Sequence, residues 1–179
     1  VTGVVVSLFI ATLMYQVYNS FLTRFYQTML LLPRFISWVI VSYFVFALLK
    51  ADGGIVNKIL ETFGADPVLW YSTPGPWRVI LILAYSWNTV GIMSLIYLSG
   101  MLAINPQLFE AASIDGAGAF AKFRRIIFPS ILPLVVINVL IAIGGIFHAD
   151  FGLFFQVPRD QGLLYATTDV LDTFIYRSL

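Results

Sequence analysis

Glu110 stands on a stretch almost stripped of side chains, Glu110-Ala111-Ala112, and Asp115-Gly116 follows shortly after. Residues of these types do recognition rather than catalysis. Ala111 and Ala112 let another backbone approach closely, and a short helix of this kind suits docking into a groove. Asn105 is a good N-cap and Pro106 a good first helical residue, so a helix is predicted to about Ile114. Gly116 permits the left-handed turn that ends it. A second short helix is predicted over Ala119–Ile127, with Phe120, Phe123, Ile126 and Ile127 on its apolar side. Lys122, Arg124 and Arg125 point elsewhere. Pro129 and Pro133 then break or kink the path into the next apolar run. The plainer alternative is a surface helical hairpin in which Glu110 is a solvated charge.

Other chemistry is thin. Cysteine is absent and His148 is the single histidine, which excludes thiolate nucleophiles, disulfide frameworks and multi-histidine zinc sites. No G-x-x-x-x-G-K-[ST] string occurs, so nothing in the chain cradles nucleotide phosphates. No metal or cofactor is expected. Polar groups inside apolar runs are Asn88 and Thr89 after Trp87, and Asn138; His148, Asp150 and Gln156 lie near the end of the last run. Helix–helix hydrogen bonding is the ordinary explanation for such groups, and a polar pathway is the other. Arg34, beside Pro33, either snorkels to an interface or lines a bundle interior.

The elements that hold these residues are set by solvent. Hydrophobic residues make up 60% of the 179 and charged residues 11%, with a mean hydropathy of +0.91. A soluble domain carries about 25% charged residues, and a chain this long cannot hide so much apolar surface in one core. The surplus faces lipid. A net charge of +1 recruits no nucleic acid. Apolar runs over 1–14, 28–49, 77–98 and 131–149 approach or meet the roughly 20 residues a spanning helix needs. They lack the alternation of a β-barrel, and backbone in lipid must bond internally, so the predicted fold is all-α and membrane-integral. Residues 15–27 read as a short polar connection. After Gly53-Gly54, Ile55, Ile59, Leu60 and Phe63 share one side of a small amphipathic helix that Gly64 can end. Trp70, Tyr71 and Trp77 suit an interfacial aromatic belt. In the polar tail, Thr168-Asp169 is placed to start another helix through Val170, Leu171, Phe174 and Ile175. Both ends read as cuts in a longer chain. Lysine and arginine bias does not orient the spans, because four basic residues fall on each side.

The loop also resembles a family signature. Permeases of binding-protein-dependent ABC importers carry E-A-A, three residues, G, nine residues, then I-x-L-P. Glu110-Ala111-Ala112, Gly116, Ile126 and Pro129 stand at that spacing, with Phe128 where leucine is usual. Residues 26–38 and 170–177 resemble the carbohydrate-uptake branch, in particular polysaccharide and oligosaccharide permeases. The resemblance implies a type I importer-like helical bundle over 1–179, truncated at both ends, with about four transmembrane helices. It implies a cytoplasmic coupling loop over 100–130 that inserts into a separate ABC ATPase subunit. Glu110 would make the ionic contact and Gly116 the bend. Residues 50–76 and 150–179 would then lie outside. The implied partners are the ATPase, a second permease subunit forming a heterodimer, an extracytoplasmic solute-binding protein and the lipid bilayer of a bacterial inner membrane. On this reading Trp87, Asn88, Asn138, His148 and Asp150 are candidates for a sugar pathway. An ion-coupled secondary transporter or channel fragment is the competing class, but it would place acidic residues within the spans, and none lies there. A membrane enzyme would need more than His148 and Asp150.

Overall fold

The computed structural model describes residues 2–16, 20–145 and 149–179, and among these no strand occurs. Eleven α-helical segments follow one another along the described chain, and they divide into two compact units.

The first unit comprises residues 1–34 and 88–145. It holds α1 (Thr2–Tyr15), α2 (Ser20–Leu31), the larger part of α5 (Trp77–Leu102), α6 (Pro106–Ile114), α7 (Ala119–Lys122) and α8 (Phe128–Gly144). Its core gathers Ala11 and Met14 of α1, Tyr97, Leu98 and Met101 of α5, and Ile127 and Ile131 at the entry to α8. Small residues let the helices close up. At Gly91 of α5 an added Cβ would fall 2.5 Å from the Leu30 carbonyl carbon, and closer still to its oxygen. Ser7 of α1 donates to the Val90 carbonyl nearby, at 3.4 Å.

Two expectations change here. Residues 15–27 are not simply a connection, since Ser20–Gln27 belongs to α2. Ser20, Thr23, Arg24 and Gln27 recur at three- and four-residue spacing, which is helical periodicity. The apolar run 28–49 is not one continuous helix either. A 3₁₀ turn over Leu32–Phe35 follows α2, extended backbone at Ser37 follows that, and α3 starts only at Trp38. Pro33 accounts for the break, because it lacks an amide donor and its ring crowds the preceding turn.

The path after the loop also differs. Phe123–Ile127 form a π-helical turn that joins α7 to α8, so Ala119–Gly144 runs as one helix of 26 residues. The Phe128 amide reaches back five residues to the Phe123 carbonyl. That register shift lets Pro129 enter a helix without breaking it. Pro133 also lies within α8 rather than ending it. The helix stops at Gly144, with Gly145 as its C-cap, and a Cβ at either glycine would meet nothing within 4 Å. The expected continuation to Ala149 falls partly outside the described residues.

The second unit comprises residues 35–87 and 146–179. It contains α3 (Trp38–Leu49), α4 (Ile55–Thr62), a 3₁₀ turn at Trp70–Ser72, the start of α5, α9 (Phe151–Gln156), α10 (Tyr165–Thr168) and α11 (Leu171–Ser178). Val41, Trp77, Leu81, Ala84, Leu153, Val157 and Leu164 form its core. Gly64, at φ +77°, ends α4 as expected. The tail helix begins slightly later than Thr168-Asp169: Val170 is its N-cap, and the Thr173 hydroxyl accepts from the Val170 amide at 3.0 Å.

Ile55 and Ile59 of α4, and Phe63 at its C-cap, face outward, and the buried residue is Asn57. Its Nδ2 donates to the Ala51 and Val68 carbonyls at 3.2 and 3.0 Å. Its Oδ1 accepts from the Val68 amide at 3.1 Å and from Trp70 Nε1 at 2.8 Å. One side chain thus fastens both ends of the 51–70 segment. Asn57→Ala is expected to cost about 3 kcal/mol, since several buried groups lose their partners together. Thermal unfolding in detergent, with limited proteolysis of 51–70, checks this; unchanged protection would contradict it.

Among the described residues, two helices can cross a bilayer by length and composition, Trp77–Leu102 and Ala119–Gly144. At 1.5 Å per residue, 26 residues span about 39 Å, enough for a hydrocarbon core of about 30 Å. If α2 and α3 count as one broken span there are three. α1 is apolar but shorter.

Candidate functional site

The loop between α5 and α8 is built by local chemistry. The Asn105 side chain accepts from the Gln107 amide at 3.0 Å, and Pro106 opens α6. At the other end the Gly116 amide donates to the Ser113 carbonyl and the Ala117 amide to the Ala112 carbonyl, at 3.1 and 2.8 Å. This is the Schellman arrangement, and it requires the left-handed backbone that Gly116 adopts at φ +73°. A Cβ at Gly116 would meet nothing within 4 Å, so the backbone angle alone demands glycine.

The helix is anchored on one side only. Phe109 packs on the first unit's core, and its ring lies 6.1 Å from that of Tyr15 at the end of α1. Lys122 braces the hairpin by donating from Nζ to Ser113 Oγ at 2.7 Å. Glu110, Ala111 and Asp115 are exposed, Ala112 half-buried. Ile114 lies one turn after Glu110 on the same face and is 88% exposed; Phe120 is 75% exposed. Ile126 is half-buried in the π turn, and Pro129 is exposed just beyond it. The tip therefore presents two acids, Glu110 and Asp115, neither with an ion-pair partner among the described residues, beside bare apolar side chains. A charge beside exposed apolar side chains is chemistry suited to a protein contact.

The other candidate residues are placed separately. Asn88 is buried and fully engaged: Oδ1 accepts from Arg34 Nη1 and Nδ2 donates to the Pro33 carbonyl, both at 3.0 Å. Arg34 thus turns to α5, where it helps fasten the break after α2. Asn138 is half-buried and donates to the Leu134 carbonyl of its own helix at 2.9 Å. Both belong to the first unit, whereas Trp87 and Asp150 belong to the second. Trp87 is 47% exposed. Asp150 caps α9 by accepting from the Leu153 amide at 3.2 Å, and its other oxygen accepts from Trp38 Nε1 at 3.0 Å. His148 lies outside the described residues. No group of three potential metal ligands occurs among the described residues.

The second unit also holds features that sequence reasoning passed over. Two open clefts flank α3, one of about 380 Å³ between its end and Trp70–Ser72, the other of about 240 Å³ against α9. Phe46 and Tyr71 line the first of these, and the Tyr71 ring lies 5.5 Å from Phe46 and 4.9 Å from Trp77. Burial pushes the Tyr71 hydroxyl up to about 12, against the opposing pull of Arg159. The tail is tied by Arg177, which pairs with Asp160 at 2.8 Å and with Asp169, and lies over the Tyr165 ring. Spacing announces these contacts poorly, because partners such as Phe46 and Tyr71, or Asp160 and Arg177, are well separated in the chain.

A profile of the binding-protein-dependent transport system inner membrane component family matches residues 3–155, and the chain belongs to that family of integral inner-membrane proteins. It is 32% identical over 171 residues to the polygalacturonan/rhamnogalacturonan transport system permease protein YteP of Bacillus subtilis, covering 96% of this chain and 53% of that one. It is 31% identical over 148 residues to the sn-glycerol-3-phosphate transport system permease protein UgpA of Escherichia coli, covering 79% and 48%. Among solved structures, a bacterial ABC transporter that imports the acidic polysaccharide alginate superimposes with a TM-score of 0.89 at 34% identity, covering 96% of this chain and 59% of that one. The same kind of transporter, solved with an alginate pentasaccharide-bound periplasmic protein, superimposes with a TM-score of 0.90. The chain spans about half the length of the curated relatives it matches.

Proposed function

We propose that this chain is the core of a permease subunit of an ATP-driven ABC importer for oligosaccharides, and that residues 100–130 couple it to a separate ATPase. The observation that carries this reading is α6 with its closing turn, residues 106–116. It is capped at both ends, anchored through Phe109, and leaves Glu110 and Ile114 facing outward without a partner. A rigid knob of this kind transmits displacement from a neighbouring subunit into α5 and α8, the two long helices it connects. Rigid-body rotation of those helices would open a central pathway to alternate sides. The carbohydrate assignment draws support from relatives whose names include polygalacturonan, rhamnogalacturonan and alginate. A second permease, an extracytoplasmic solute-binding protein and the bilayer complete the assembly.

An ion-coupled transporter is less well supported. Neither Trp77–Leu102 nor Ala119–Gly144 contains an aspartate or glutamate to carry a coupling ion. Co-expression of the full-length permease with an ATPase subunit, followed by affinity capture, tests the proposal. Capture is expected, and labelling of a cysteine placed at Ser113 should occur only from the cytoplasmic side. Labelling from the opposite side would end the proposal.

A further inference from the structure

Arg159 is held in an unusual way. It follows Pro158 at the end of α9, where its amide donates to the Gln156 carbonyl and that of Asp160 to the Phe155 carbonyl, at 3.1 and 3.2 Å. This is the turn that normally recruits glycine, yet Arg159 and Asp160 adopt φ +58° and +48° in succession. Side-chain residues seldom take that conformation, and such positions cluster where a side chain must be aimed. The guanidinium carbon sits 4.3 Å from the Phe46 ring centre and 5.7 Å from that of Tyr43. Aromatic faces thus support the cation from one side.

Its natural counter-ion is withheld. The neighbouring carboxylate, Asp160, is turned to Arg177 at 2.8 Å and to the Tyr165 hydroxyl at 3.0 Å. Arg159 has no ion pair among the described residues, although it is exposed at the wall of the 240 Å³ cleft. Tyr43, Ser42, Gln156 and Asp160 line the same cleft, the Asp160 charge being offset by Arg177. A planar donor fork without a partner fits a carboxylate bidentately. A phenol ring and an amide beside it suit a sugar ring and its hydroxyls, and the cleft is smaller than the usual pocket for a drug-sized ligand. A phosphate headgroup would instead be expected to collect several basic side chains, whereas one lines this cleft.

We infer that the cleft between α3 and α9 binds a single carboxylate-bearing sugar unit, a uronic acid residue of an oligosaccharide, with Arg159 on the carboxylate and Tyr43 and Gln156 beside the ring. This deepens the carbohydrate-importer reading and rests on it, and it makes Arg159 a specificity residue for acidic over neutral sugars.

The test uses the complete transporter in lipid nanodiscs, titrated with trigalacturonate and, separately, with maltotriose. Arg159→Gln is expected to weaken trigalacturonate binding at least about tenfold, since a charge-assisted contact is lost. Arg159→Lys should recover part of the loss, because it keeps the charge but not the fork. Maltotriose binding should be the same in all three proteins. Absence of saturable trigalacturonate binding to the wild type would overturn the inference, as would equal binding by the Arg159→Gln variant. Loss of a co-purified anionic phospholipid in that variant, with trigalacturonate binding unchanged, would assign the cleft to lipid and overturn it too. Recovery of the ATPase with each variant is scored separately, so failure of the importer reading shows as loss of capture in the wild type.

Discussion

Gly91→Ala is expected to destabilise the first unit by about 3 kcal/mol, at the upper end of what overpacking costs. The reason is the nature of the obstacle. A methyl at this position runs into the Leu30 carbonyl, 2.5 Å from its carbon, and a backbone group cannot rotate aside as a side chain can. Relief requires α2 and α5 to separate. Separation stretches the bonds that Asn88 makes to Arg34 and the Pro33 carbonyl, both 3.0 Å long, so the fastening of the broken span is lost with the packing. Gly144→Ala is the matched control. It meets nothing within 4 Å, and replacing a helical glycine by alanine gains up to about 1 kcal/mol. Thermal unfolding of both variants in the same detergent decides the matter. Equal midpoints would show that the close approach is not needed.

The contrast between the two glycines also shows what a sequence can carry. Gly116 was legible as a turn because its neighbours spell out a helix end, from Asn105-Pro106 through Gly116, and capping is decided within a few residues. Gly91 looks like any glycine in a spanning run, since its reason is a carbonyl 61 positions away in a different helix. The α2–α3 break has a local cause, Pro33, but composition favoured one uninterrupted span because most of the residues from 28 to 49 are apolar. Asn57 and Arg159 were missed for the same reason as Gly91. Asn57 serves a loop whose path depends on tertiary packing, and Arg159 faces rings on α3 more than a hundred residues earlier. Asn88 and Asn138 stand out in the sequence as polar groups among apolar neighbours. That criterion finds groups needing a partner without saying which partner, and Asn88 found its own within the protein.

The loop leads to the second large effect. Glu110→Ala is expected to weaken capture of the ATPase by about 10- to 150-fold, corresponding to about 1.5–3 kcal/mol for a hydrogen bond to a charged partner. Alanine favours helix, and Glu110 makes no ion pair within the described residues, so α6 itself should be unharmed. Insertion and thermal stability should match the wild type while ATP hydrolysis no longer responds to substrate. Ile114→Ser removes the neighbouring anchor on the same face and should act in the same direction, because an interface that buries Ile114 gains from its apolar area. A Lys122→Ala variant behaves differently on this account. It loosens the hairpin by freeing Ser113 but removes no docking group, so it should lower coupling efficiency more than affinity. Unimpaired coupling in both Glu110→Ala and Ile114→Ser would mean that force enters the helices elsewhere.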